Sequence, residues 1–278
     1  MEVFGLPLEN LLLVSDLDGT LLDDDHDISA KNKEAIQRFE GQGGHFTFAT
    51  GRMETSTTPY IEELDIQLPV IVYNGAGLYD PQEDRLTWKR ELTDYQDILG
   101  ELMTYLARYD LSIQIYQDGQ PYYAGSKAIV EEADFKERVT SLPLDQADLS
   151  RPTTKILMIA NQLEVLHEIE EMVADSGYPC ATIYSEWNYF ELAPLNTNKG
   201  DALLQLTDRY EKQHEKQLTT VTAGNNQNDL PMLEAADYGF YVDNCDHRLR
   251  LDHLYPCVAN SDHALADIID NFIFPKFL

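Results

Sequence analysis

The sequence is short of positive charge: its 278 residues carry 20 Lys and Arg against 49 Asp and Glu, a formal net charge of -29. That balance repels nucleic acid and anionic membrane surfaces, so neither is expected as a partner. It also repels an anionic metabolite, and a site for one must supply its own local cations. Cysteine is scarce as well. Cys180, Cys245 and Cys257 are the whole complement, odd in number and without a CxxC pair, which argues against a disulfide framework or a zinc cluster and fits a reducing cytoplasm. The seven histidines show no HxH or HExxH spacing, and none is assigned a role. No apolar run approaches the roughly 18 residues that span a bilayer. The start MEVFGLPLENLLLVSD lacks the basic residues and long apolar core of a secretory leader. A soluble, cytoplasmic protein is expected, and nothing in the chain fixes its oligomeric state.

What is present is enough for a folded core, with 43% hydrophobic residues. LLLVS (11 to 15) is a short apolar run that breaks into acids and Gly, the pattern of a buried strand feeding a loop. Ser29 precedes a helical stretch that stops at GQGG, and HFTFAT (45 to 50) reads as a second strand. Strand, helix, strand is the unit of a parallel sheet. A helix over about 53 to 64 leads to PVIVYN (69 to 74), a third strand ending in Asn-Gly.

After GLYD the character changes. A hairpin about Asp118-Gly119 is expected, mixed with helices near 95 to 108, 127 to 138 and 162 to 176 and with strands at 155 to 160, 180 to 184 and 188 to 193. The α/β rhythm returns from NKGDALLQL onward, through TTVTAG (219 to 224) and DYGFYV (237 to 242), to a last helix from Asp262. The expected architecture is a doubly wound, Rossmann-like α/β core over 1 to 82 and 191 to 278, with an α+β module over 83 to 190 inserted into it.

In open parallel sheets ligands bind beyond the carboxyl ends of the strands. DLDGT, TGR, NGA and GNNQND follow strands here, and Asn198-Lys199-Gly200 opens a helix where the chain re-enters the core. In an extended segment Asp16 and Asp18 fall on one side, and Gly19 permits a sharp departure of the backbone. Their oxygens together with a main-chain carbonyl suit Mg2+, a hard cation that takes one or two protein carboxylates. Acids of this kind can instead cap an Asx turn. Asp23, Asp24 and Asp25 have no partner spacing and read as a solvated loop.

DLDGTLL, ATGR, NGA, NKG and GNNQNDLPML, in this order and with a large insertion between TGR and NKG, resemble the haloacid dehalogenase (HAD) superfamily, and within it the Cof-type branch, subclass IIB. The likeness extends over essentially the whole chain. It implies a Mg2+-dependent phosphatase of a small phosphorylated metabolite, with sugar phosphates the class expected by family analogy alone. It makes Asp16 the nucleophile that accepts the phosphoryl group and Asp18 the general acid and base. Mg2+ would be held by Asp16, the main-chain oxygen of Asp18, Asn225 and Asp229. Thr50, Gly51 and Lys199 take the place of phosphate-binding residues. Thr50 could equally cap the 53 to 64 helix, a role compatible with the first. Arg52 and Asn74 are candidates for phosphate contact or for tying loops together. Trp187 and Asn188, ahead of the strand that returns to the core, could stack on and hydrogen-bond a substrate, or simply pack.

One departure stands out against the family pattern. The loop usually begins Gly-Asp, and that Asp is typically a metal ligand, whereas here the position is Asn225. Asn228 and Asp229 match the remainder, with Asn228 expected to support the loop. Weaker Mg2+ binding, transfer of the ligand role to Asp229, and a degenerate site that binds without turnover all remain open. A phosphomutase on the same scaffold and a non-catalytic phosphometabolite-binding protein are the alternatives to the phosphatase.

Overall fold

The computed structural model describes residues 8–278. Residues 1–7, which belong to the N-terminal stretch read as lacking leader features and to the first core segment, lie outside the described residues. In chain order the strands are β1 (Leu11–Asp16), β2 (His45–Ala49), β3 (Val70–Val72), β4 (Gly77–Asp80), β5 (Arg85–Lys89), β6 (Leu111–Gln117), β7 (Gln120–Gly125), β8 (Leu142–Pro143), β9 (Ile156–Ala160), β10 (Ala181–Glu186), β11 (Tyr189–Ala193), β12 (Thr219–Gly224), β13 (Tyr238–Val242) and β14 (Tyr255–Cys257). The helices are α1 (Ala30–Gly41), α2 (Glu54–Leu64), α3 (Gln96–Met103), α4 (Lys127–Glu137), α5 (Leu163–Ser176), α6 (Lys199–His214), α7 (Leu230–Ala235), α8 (Ala264–Ile268) and α9 (Phe274–Phe277). No described helix is long and apolar enough to cross a membrane.

The chain forms two units. The first takes the described chain up to Thr50, Pro59–Thr87 and Asn198–Leu278; the second takes Gly51–Thr58 and Trp88–Thr197. The sequence reading placed the divisions at 82/83 and 190/191. The first division lies later because β5, read there as the start of the insertion, is the edge of the first unit's sheet. The second lies later because β11 pairs antiparallel with β9, inside the other sheet. The excursion at Gly51–Thr58 had no counterpart in the reading. It ends at Thr58, and the first unit resumes inside α2 at Pro59, where the ring removes a helical N–H donor.

The first unit is built on an eight-stranded sheet in the order β14-β13-β12-β1-β2-β3-β4-β5. β1 runs parallel to both β12 and β2, and every residue from Leu11 to Asp16 is buried. A strand covered on both faces has no polar side to present, which is why it reads as a continuous apolar run and not as an alternation. The register aligns Asp16 with Ala49, Ala49 with Ile71 and Ser15 with Ala223, so β1, β2, β3 and β12 end at one level. Helix starts are capped as their sequences suggest. Ser29 accepts from the Asn32 N–H ahead of α1, and Asn198 from the Asp201 N–H ahead of α6. Helix α2 begins at Glu54, four residues beyond Thr50, so Thr50 is not its cap.

The second unit has a six-stranded sheet in the order β10-β11-β9-β6-β7-β8. Ile113, Ile115, Met158, Phe190 and Leu192 pack with Leu99 and Leu102 of α3 and with Leu166 and Ile169 of α5 into one apolar cluster. The β6–β7 hairpin turns at Asp118 and Gly119, both with positive φ (47° and 74°), as a two-residue turn of this kind requires. The expected hairpin is therefore present.

Candidate active site

The site of the first unit starts from a geometric consequence of the parallel sheet. Strands ending at one level deliver the residues that follow them to one place. Asp16 is the last residue of β1, Thr50 follows β2, Asn74 follows β3, and Asn225, Asn228 and Asp229 follow β12. Lys199 is the first residue of α6.

At the centre is a buried triad of charges. Lys199 Nζ donates to Asp16 Oδ1 at 2.6 Å and to Asp229 Oδ1 at 2.6 Å. Lys199 and Asp229 are fully buried and Asp16 nearly so. Burial works against the Lys199 ammonium, but the charges of Asp16 and Asp229 and its hydrogen bonds to both outweigh it and raise its pKa above the usual range. Burial first, then the charge of Asp229, push the Asp16 carboxyl up to about 7, against the pull of Lys199. Two carboxylates thus share one cation in a dry place. Thr20 Oγ1 donates to the other Asp16 oxygen, at 3.1 Å, and orients the carboxyl.

Asp229, a candidate metal ligand, turns its Oδ1 to Lys199 while its Oδ2 accepts the N–H groups of Asn225 and Asn226, each at 2.9 Å. It forms a capping box with Asn226. Its position makes it the counter-ion of the lysine and the organiser of its own loop.

The DLDG turn and the GNNQND loop meet at Gly19. A Cβ there would collide with the Asn225 side-chain amide, and Gly19 also has a φ of +76°, so only glycine meets both demands. Asn244 Nδ2 donates to the Gly19 carbonyl at 2.9 Å. Asn74, in the left-handed region at φ 53°, accepts from Asn228 Nδ2 at 2.9 Å, and its N–H donates to the Thr50 carbonyl. Asn74 and Asn228 thereby link the NGA and GNNQND loops, the tying role weighed for Asn74. Thr50 is buried and its N–H donates to the Ile71 carbonyl.

The donors expected to hold a cation are all hard oxygens: the Asp16 carboxylate, the main-chain oxygen of Asp18 and the amide oxygen of Asn225. Among the described residues no cluster of three His, Cys, Asp or Glu is arranged to hold a metal. The donor set therefore fits a small dication that keeps several waters and takes few charged ligands, the habit of Mg2+, better than a thiolate- or imidazole-loving ion.

The remaining expected residues fall in the second unit. The Gly51 carbonyl accepts from Lys155 Nζ at 3.1 Å, and Arg52 donates to the Lys136 carbonyl at 3.1 Å. Trp187, 63% exposed, and Asn188 form the turn between β10 and β11. Thr20, Asn244 and His26 were not singled out in the sequence. Thr20 belongs to the quoted DLDGT, and its place four residues after Asp16 was the available signal. For Asn244 there was none, because its partner Gly19 is 225 residues away.

Comparison with known proteins shows the family and the fold. The family model for haloacid dehalogenase-like hydrolases matches residues 13–269. The chain is 26% identical over 242 residues to the 5-amino-6-(5-phospho-D-ribitylamino)uracil phosphatase of Bacillus subtilis (strain 168), covering 84% of this chain and 86% of that one. Among solved structures it is similar to a haloacid dehalogenase-like hydrolase from Bacteroides thetaiotaomicron, with a TM-score of 0.81, 22% identity, and coverage of 94% and 98% of the two chains. It is also similar in fold to a HAD subclass IIB sugar phosphatase, with a TM-score of 0.77, 16% identity, and coverage of 94% and 98%.

Proposed function

The chain belongs to the haloacid dehalogenase-like hydrolases, and from that membership we propose that it is a Mg2+-dependent phosphatase of a small phosphorylated metabolite, acting through an aspartyl phosphate. The observation that carries this reading is the Lys199 ammonium 2.6 Å from an oxygen of buried Asp16. A carboxylate attacks phosphorus only when the approach of two anions is neutralised, and a buried cation in contact with the nucleophile contributes that neutralisation without reorganising.

In this reading Asp16 Oδ1 or Oδ2 forms the bond to phosphorus while the bond to the leaving oxygen breaks. Asp18 gives its proton to that oxygen and then takes one from the water that attacks the aspartyl phosphate, which returns Asp16 to a carboxylate. Lys199 holds the carboxylate of Asp16 and opposes the phosphoryl charge, and Asp229 keeps the ammonium in place. Thr50, at the end of the neighbouring strand, is assigned to a phosphate oxygen. Asp16, the main-chain oxygen of Asp18 and Asn225 would hold Mg2+, which when bound would supply further positive charge opposite the transferring group.

The substrate class is supported by similarity. The Bacillus subtilis relative is named for a phosphoribityl compound and a fold neighbour for sugar phosphates, and both names describe a phosphate ester on a polyhydroxylated carbon chain. The net charge of -29 disfavours nucleic acid and anionic membranes as partners, and three free cysteines suit a reducing cytoplasm. The test is phosphate release from a panel of phosphorylated metabolites in Mg2+. Wild type should hydrolyse sugar or sugar-alcohol phosphates, and Asp16→Asn should be inactive because an amide is no nucleophile. Wild-type turnover by Asp16→Asn would overturn the mechanism, and dependence on a bisphosphate activator would point to a mutase.

A further inference from the structure

The acid run after the first strand builds something the mechanism has not used. Leu22 and Ile28, both buried, form an isolated antiparallel bridge, and the five residues between them close into a tight turn. Asp23 Oδ1 accepts the N–H groups of Asp25 and Asp27, each at 3.0 Å. The Asp23 N–H donates to the Asp27 carbonyl, and the His26 N–H to the Asp23 carbonyl. Asp23 thus acts as an Asx-turn residue, while Asp24 and Asp25 stay exposed.

The residue this turn presents is His26, held at φ 59°. Histidine is among the few residues found with some frequency in that left-handed region. The buried Tyr60 hydroxyl donates to the His26 carbonyl at 3.3 Å and braces the backbone from α2. The ring then places Nδ1 3.3 Å from Asp18 Oδ1. The pair lacks hydrogen-bond alignment, and Nδ1 is enclosed without a hydrogen-bond partner. An enclosed imidazole nitrogen is costly unless a partner is reached, and Asp18 Oδ1 is at hand.

We propose that His26 is a positioning residue for Asp18: with its proton on Nδ1 it donates to Asp18 Oδ1 and leaves the other carboxyl oxygen to carry the proton that goes to the leaving group. The inference rests on the reading of Asp18 as general acid. The role is geometric and does not require His26 to change its charge. During phosphoryl transfer the O–H bond of Asp18 breaks as the leaving oxygen takes the proton, and the proton returns from the attacking water. His26 holds the same oxygen throughout. The Asx turn, the left-handed residue, the bridge that closes the turn and the brace from Tyr60 then serve one ring.

The experiment exploits the dependence of general acid catalysis on the leaving group. His26→Gly keeps the left-handed conformation without the ring, whereas His26→Asn tolerates that conformation and places an amide N–H near the position of Nδ1. With phenyl phosphate, whose leaving group needs the proton, His26→Gly should lower kcat/KM about tenfold, a part of the roughly 10²–10⁴-fold that general acids contribute. With p-nitrophenyl phosphate, a far better leaving group, the loss should stay below about threefold. His26→Asn should recover most of the loss, and Tyr60→Phe should give a smaller loss with the same selectivity, which serves if the glycine variant does not fold. Equal losses on both substrates, or none, overturn the proposal. Asp18→Asn separates the two levels: if it shows the leaving-group-selective loss and His26→Gly does not, only the role of His26 falls. If Asp18→Asn shows no such selectivity, the reading of Asp18 falls and the proposal with it.

Discussion

Lys199 Nζ and Asp16 Oδ1 lie 2.6 Å apart although 183 residues separate them in the chain, and neither side chain is more than 7% exposed. The pair is completed by Asp229, so one ammonium answers two carboxylates in a place closed to water. Removing the ammonium should therefore harm both folding and chemistry. In Lys199→Met two buried acids lose their counter-ion, and breaking a buried ion pair on one side typically costs about 3–5 kcal/mol. Part of that cost is avoided if the acids bind protons. The expected result is a markedly lower melting temperature at neutral pH that partly recovers in mild acid, with phosphate release reduced by at least about 100-fold, the scale seen when one electrostatic stabiliser is lost. Thermal unfolding at two pH values and a phosphate-release assay on the same protein check both parts.

Asn225 stands where the family places an aspartate, and its neutral amide lowers the negative charge available to a cation. Even changes beyond the direct ligands commonly alter metal affinity by about 10–100-fold. Asn225→Asp should lower the Mg2+ concentration for half-maximal activity by at least about tenfold, with a smaller change in saturated kcat because Asp16 and Asp18 are untouched. A Mg2+ titration of thermal stability should show the same displacement without relying on turnover. Superimposable titrations for the two proteins would remove Asn225 from the ligand set.

Glu40, near the end of α1, is half-buried. Burial first, then the charge of Asp65, push its carboxyl up from 4.5 to about 7, against a hydrogen bond from the Phe46 N–H. The folded state thus binds the proton more tightly than the unfolded chain. Its contribution to stability is complete below pH 4.5 and is lost as pH rises towards 7. Glu40→Gln should abolish that loss, gaining about 1 kcal/mol above pH 7 once solvent screening of a partly exposed group is allowed for. Denaturant melts of both proteins on either side of that window check the sign. A variant that loses stability relative to wild type in alkali would contradict it.

The net charge of -29 should slow the approach of a dianionic substrate. Salt shortens that field to about 8 Å at physiological ionic strength, so kcat/KM under saturating Mg2+ should rise from low to moderate salt. A steady fall would mean that the local cations, Lys199 foremost, outweigh the global charge.

Much of this protein was determined by its sequence alone, because the signals involved are local. A continuous apolar run such as LLLVS demands a strand buried on both faces, Ser29 and Asn198 cap the helices they precede, and Asp118-Gly119 turns a hairpin. The placement of the motifs at strand ends followed from the same periodicities, and the family resemblance of those motifs singled out Asp16, Asp18 and Lys199. The tertiary structure decided which groups spend their hydrogen bonds on which. Asp229 turns to Lys199 and to the amides of its own loop, Asn74 to Asn228, and the Gly51 carbonyl to Lys155. The acid run, read as solvated, uses Asp23 to fold a turn and set His26 against Asp18. Period and turn chemistry act over a few residues. Which buried donor meets which buried acceptor depends on how chain segments tens to hundreds of residues apart are packed, and the cost of leaving any such group unpaired enforces the choice.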